Sequence, residues 1–154
     1  MMKKELFLAA GVALVFSGGG GEQVSARSDT AIHGYARPAD RSCFQESWGS
    51  MLNTCSTTRQ LFIPASIDKH CVSGTSWKLT AQSNNVSGNV CCRMIGISGT
   101  SISAGSWQCL PQFGSPQQLT LNGAALYQDR AFYVCDVGPN AQVIGIDWSQ
   151  SGGC

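Results

Sequence analysis

Trp77-Lys78-Leu79-Thr80-Ala81 is the stretch that decides the fold. Trp77, Leu79 and Ala81 alternate with Lys78 and Thr80, so one side of an extended chain is apolar and the other polar. That two-residue period belongs to a half-buried strand. Gln142 to Trp148 repeats it, with Ile144, Ile146 and Trp148 expected on one face and Asp147 on the other. Phe132-Tyr133-Val134-Cys135 is apolar on both sides and suits a central strand. Further strand-like runs lie at Gln60 to Ile63, Asn89 to Ile97 and Gln118 to Leu121, with weaker ones at Met51 to Asn53 and Ser101 to Ser103. Gly, Pro, Asn and Ser clusters separate them. Only Ser47 to Thr54 and Gly123 to Asp129 suit a helical turn. The fold class is therefore all-β, an antiparallel β-sandwich of about 6–8 short strands.

The cysteines say how that sandwich is held. The chain has eight, at 43, 55, 71, 91, 92, 109, 135 and 154. No Cys-x-x-Cys occurs, which disfavours a structural zinc site or a thioredoxin-like dithiol. An even number in an exported chain reads as a disulfide framework of open connectivity formed by Cys43, Cys55, Cys71, Cys91, Cys92, Cys109, Cys135 and Cys154. Adjacent Cys91 and Cys92 point to opposite faces of a strand and so need different partners, one bond crossing between sheets and the other tying a surface loop. Cys154 is expected to clamp the C-terminal tail.

Export is read from the first residues. Lys3 and Lys4 precede the apolar run Leu6 to Phe16, roughly eleven residues and well short of the ~20 of a membrane span. Gly18 to Gly21 break any helix, and Val24-Ser25-Ala26 offers a cleavage point. The expected organisation is a signal peptide over 1–26, a flexible leader over 27–42, and a single β-sandwich domain over 43–154. The product is expected to be secreted, extracellular or periplasmic, without membrane insertion.

A net charge of +1 leaves no electrostatic footprint for nucleic acid. No phosphate-cradling loop or dense acidic calcium loop appears, so no cofactor and no metal are expected. Asp136 and Asn140 flank a Gly-Pro turn that reads as a capped turn in preference to a calcium site. Two stretches, Leu61-Phe62-Ile63-Pro64 through Trp107 and Leu119-Thr120-Leu121-Asn122 through Trp148, share a pattern that a duplication into two half-sandwiches would explain.

Cys43-Phe44 and Cys135-Asp136-Val137-Gly138-Pro139-Asn140-Ala141 resemble a group of small exported cysteine-rich bacterial proteins. The resemblance spans residues 43–148 and implies a secreted β domain. It carries over no activity and no functional residue.

Catalysis has little to rest on, and the chain is expected not to be an enzyme. Of two histidines, His33 falls in the leader and His70 adjoins Cys71, with Asp68 near. A hydrolase would have to use His70 as general base, yet no nucleophile signature accompanies it. The aromatics carry more. Trp77 and Trp148 share strand faces with aliphatics and belong to the core. Trp48 and Trp107 sit in Gly/Ser-rich surroundings and are the candidate ligand-binding residues, because exposed rings pack on sugar faces. The function expected is a secreted binding or structural surface protein, recognising carbohydrate or cell-envelope material. The alternative is an inhibitor or toxin-like effector that grips an extracellular protein through the loop Pro111 to Pro116.

Overall fold

The computed structural model describes residues 24–66, 73–122 and 130–151. They form two antiparallel sheets packed face to face, as the alternating pattern predicts. The strands are β1 (Val24–Thr30), β2 (Tyr35–Ala36), β3 (Phe44–Ser47), β4 (Ser50–Asn53), β5 (Arg59–Ala65), β6 (Ser73–Gln82), β7 (Val90–Ser98), β8 (Ser101–Ala104), β9 (Gln108–Cys109), β10 (Gln117–Leu121), β11 (Arg130–Val137) and β12 (Gln142–Ser151). Sheet A runs β10-β6-β12-β4-β3, with β1 also on β12. Sheet B runs β2-β5-β11-β7-β8, with β9 also on β7.

From β5 onward the chain keeps crossing between layers: β5 lies in sheet B, β6 in A, β7 to β9 in B, β10 in A, β11 in B and β12 in A. Each sheet is thus knitted from strands far apart in sequence, such as β12 on β6 and β11 on both β5 and β7. This overturns the duplication into half-sandwiches, since β10 and β11 of the supposed second half lie in different sheets.

Between the layers, Trp77, Leu79 and Ala81 of β6 and Val143, Ile146 and Trp148 of β12 meet Leu61 and Ile63 of β5, Cys92 and Met94 of β7, and Tyr133 and Cys135 of β11. Trp77 and Tyr133 meet edge to face, with ring centroids 5.8 Å apart. Trp148 is buried and donates its indole N–H to Ser66 O. Both tryptophans read as core residues are core.

Three expectations change. Ser47 to Thr54 holds no helical turn: β3 and β4 pair as a hairpin with Ser47 opposite Ser50. Its two turn residues, Trp48 and Gly49, have φ of 50° and 82°, the double left-handed conformation that a tight type I′ hairpin requires. Residues 27–42 are not a loose leader in the described structure. Arg27 to Thr30 belong to β1 and pair with β12 as far as Gly145, while Ala31 and Ala36 are buried. Ile144 does not share the face of Ile146. A bulge between Val143 and Gly145 keeps Val143 and Ile146 inward and leaves Ile144 half-buried on the outer side.

Three disulfides lie among the described residues: Cys43–Cys55, Cys91–Cys109 and Cys92–Cys135. Cys91 and Cys92 do take different partners, on opposite faces of β7. The buried Cys92–Cys135 bond, however, joins β7 to β11 within sheet B and does not cross between sheets. Cys71 and Cys154 lie outside the described residues. Disulfides of this kind belong to an oxidising compartment. No helix among the described residues is long and apolar enough to cross a membrane.

Asn53 of β4 stitches the layers at one end. Its side-chain amide donates to Val137 O at 2.7 Å and to Gly138 O at 3.2 Å, and its backbone exchanges hydrogen bonds with Asn140 and Ala141.

Candidate ligand-binding face

Strand alternation sends every second residue of sheet B outward, and the register lays those residues in rows. Tyr35 of β2 stands opposite Phe62 of β5, Phe62 opposite Val134 of β11, and Val134 opposite Arg93 of β7. Trp107 closes the row: the Arg93 guanidinium carbon lies 4.6 Å from its ring centroid. The rings of Tyr35 and Phe62 stack at 5.5 Å with 14° between planes. Val134, in the middle of the row, is buried although it lies outside the core cluster.

Neighbouring rows flank this aromatic one. On one side Pro64, Phe132, Ile95 and Ala104 run across the sheet, followed by Arg130, Ile97 and Ile102. On the other, Gln60, Asp136, Cys91 and Cys109 form a polar edge. There Arg37 donates to Gln60 Oε1 and Gln60 Nε2 donates to Asp136 Oδ1, each at 3.0 Å. The Cys91–Cys109 bond secures β9, two residues long, and so anchors the chain directly after Trp107.

Three of the exposed large hydrophobic side chains gather at this face. Of the large hydrophobic residues that reach solvent, Tyr35 and Ile102 stand on sheet B and Trp107, 38% exposed, lies against Arg93 on its outer face, while Trp48 and Val86 occupy turns elsewhere. The outer face of sheet A has a different chemistry. Ser28 stands opposite Asp147, Asp147 opposite Lys78 and Lys78 opposite Thr120, beside Thr80 and Gln118. A shallow depression there is lined by Arg27, Ser28, Ser76, Lys78, Asp147, Trp148 and Ser149, but its one ring, Trp148, is buried. It offers polar groups without a ring to stack on.

Trp48 and Trp107, the two residues singled out from sequence, are not brought together. Trp107, just before β9, lies against Arg93 at the outer face of sheet B. Trp48 sits at the tip of the β3–β4 hairpin of sheet A, fully exposed. Tyr35 and Phe62 were not singled out from the sequence as ligand residues, because only the β2–β5 register stacks them. The loop Pro111 to Pro116 is mostly exposed and is pinned by Gly114 N donating to Ser83 O.

His33 is held by the Asp29 carboxylate, its Nδ1 lying 2.7 and 2.8 Å from the two oxygens, on the exposed turn after β1. His70 and Asp68 lie outside the described residues. Among the described residues, no three His, Cys, Asp or Glu side chains gather as metal ligands. Asp136 is engaged by Gln60, and Asn140 takes a left-handed turn conformation at φ 58°.

No family model matches the chain, and no curated protein matches it. A solved structure described as "CBM4 structure and function" is similar in strand arrangement, with a TM-score of 0.39 at 9% sequence identity, over 82% of this chain and 86% of that one. The two sheets and three described disulfides of the chain itself place it as a disulfide-stapled, all-β sandwich.

Proposed function

We propose that the protein is an exported glycan-binding module whose ligand lies across the outer face of sheet B. The observation that carries this is the row Tyr35–Phe62–Val134–Arg93–Trp107, which presents two aromatic surfaces at the ends of one continuous strip. The apolar faces of pyranose rings pack on such surfaces, and Gln60, Asp136 and Arg37 along the polar edge hydrogen-bond ring hydroxyls. A rigid, sheet-borne platform loses little entropy on binding, which favours recognition of an extended polymer. No catalytic group is needed for this role.

A glycan array probed with the oxidised protein tests it. Binding to a defined glycan class is expected. Trp107→Ala or Tyr35→Ala should each weaken binding at least about tenfold, as for the loss of a stacking ring. If both variants bind like the parent, the face is misassigned.

A further inference from the structure

The charges on the same face point past a neutral ligand. Among the outward residues of β5, β11 and β7, the one carboxylate is Asp136, and it already accepts from Gln60. Opposed to it are Arg93 and Arg130 on that face, with Arg37 at its β2 edge. Asp40, the carboxylate of the nearby turn, is taken by Arg59 at 2.9 Å. Neither Arg93 nor Arg130 forms a salt bridge among the described residues, and Arg93 Nε is buried with no hydrogen-bond partner. A guanidinium that no carboxylate neutralises leaves its positive charge for an anion to meet.

We infer that the ligand is an acidic glycan, a uronate-bearing polysaccharide whose ring carboxylate is received by Arg93 beside Trp107. This rests on the glycan-binding reading above. A guanidinium presents a planar fork that matches a carboxylate, and its position against the Trp107 ring places the anion next to the stacking surface. In a uronate the carboxylate is attached directly to the pyranose ring, so one sugar residue satisfies both contacts. Arg130 pairs with Ile97, four residues along β7 from Arg93, which sets the two arginines roughly 13 Å apart along the strand direction. Cations spaced along one face suit a polymer of repeating charge better than a single small anion.

The test compares polygalacturonate, a neutral cello-oligosaccharide and dextran sulfate by calorimetry with the full oxidised protein. Polygalacturonate should bind at least about tenfold tighter than the neutral ligand and should weaken as salt is raised. Arg93→Gln should reduce its affinity to the neutral level, Arg93→Lys should fall between, and Arg130→Gln should give a smaller loss. Near-ultraviolet circular dichroism confirms that each variant is folded. Equal or tighter binding of the neutral ligand would overturn the acidic preference and leave the glycan reading intact. Dextran sulfate binding as tightly as polygalacturonate and unaffected by Arg93→Gln would mean charge attraction without a site, which also overturns it. A folded protein that binds no glycan would remove both readings.

Discussion

The guanidinium of Arg93 on β7 sits against the ring of Trp107, 4.6 Å from its centroid, although Trp107 lies in the connection between β8 and β9. Arg93 is fixed by the long ladder of β7 with β11. Trp107 precedes a strand of two residues whose hold on β7 includes the Cys91–Cys109 bond. The geometry at the end of the aromatic row therefore depends on that disulfide.

Replacing Cys91 and Cys109 together by serine should weaken glycan binding while lowering stability by about 2–4 kcal/mol. Replacing Cys92 and Cys135 by alanine should lower stability further, because that bond closes the longer loop, 43 residues against 18, and is buried. Urea midpoints and calorimetric affinities of the two pairs provide the comparison. A larger binding loss in the Cys92/Cys135 variant would contradict the anchoring role of β9.

Trp48 occupies a turn position that favours asparagine. A bulky side chain at φ 50° pays about 1–2 kcal/mol, and the fully exposed ring recovers nothing from packing. Trp48→Asn should raise the melting temperature by several degrees, corresponding to roughly 1 kcal/mol. It should leave polygalacturonate binding unchanged if the ligand stays on sheet B.

Gly138 packs its backbone on that of Gly88, and a Cβ at either position would overlap the facing main chain. Because the obstacle is backbone, relief requires the β11–β12 connection to move, which also disturbs the bonds from Asn53 to Val137 O and Gly138 O. Gly138→Ala should destabilise by about 1–3 kcal/mol or more in equilibrium denaturation.

Tyr133 is buried under the core, and that burial holds its phenol far above the ordinary tyrosine range. The charge of Asp147 pushes the same way and a hydrogen bond to the Lys78 backbone opposes it. The phenol itself donates to Asp147 O at 2.8 Å. Unfolded tyrosine ionises near pH 10 while the folded residue keeps its proton, so above that pH the native state binds more protons and stability falls as pH rises. The contribution is at most about 1.4 kcal/mol per pH unit. Urea midpoints above pH 10 should fall more steeply in the parent than in Tyr133→Phe. Parallel slopes would show that Tyr133 ionises freely in the native state.

Alternation in Trp77 to Ala81 was enough to read the all-β class, the inward face of β6 and Trp77 as core, and the doubly apolar run Phe132 to Cys135 marked β11 as a central strand. Side-chain period is a local property of an extended chain, set by residues two apart. The bulge at Ile144 broke that inference because a bulge changes the period without changing composition. Trp48-Gly49 read as part of a helical turn over Ser47 to Thr54 because type I′ geometry is unusual for tryptophan.

The sequence by itself determined that this protein is a small cysteine-rich β-sandwich with a tryptophan-rich set of candidate ligand residues. Only the tertiary structure decided which sheet carries the aromatic row proposed as the binding face. Tyr35, Phe62, Val134 and Arg93 come from four strands, and what aligns them is backbone hydrogen bonding between strands distant in the chain. That pairing is non-local, chosen by burial of the opposite face. Residues separated by tens of positions therefore become neighbours for reasons that no local pattern records.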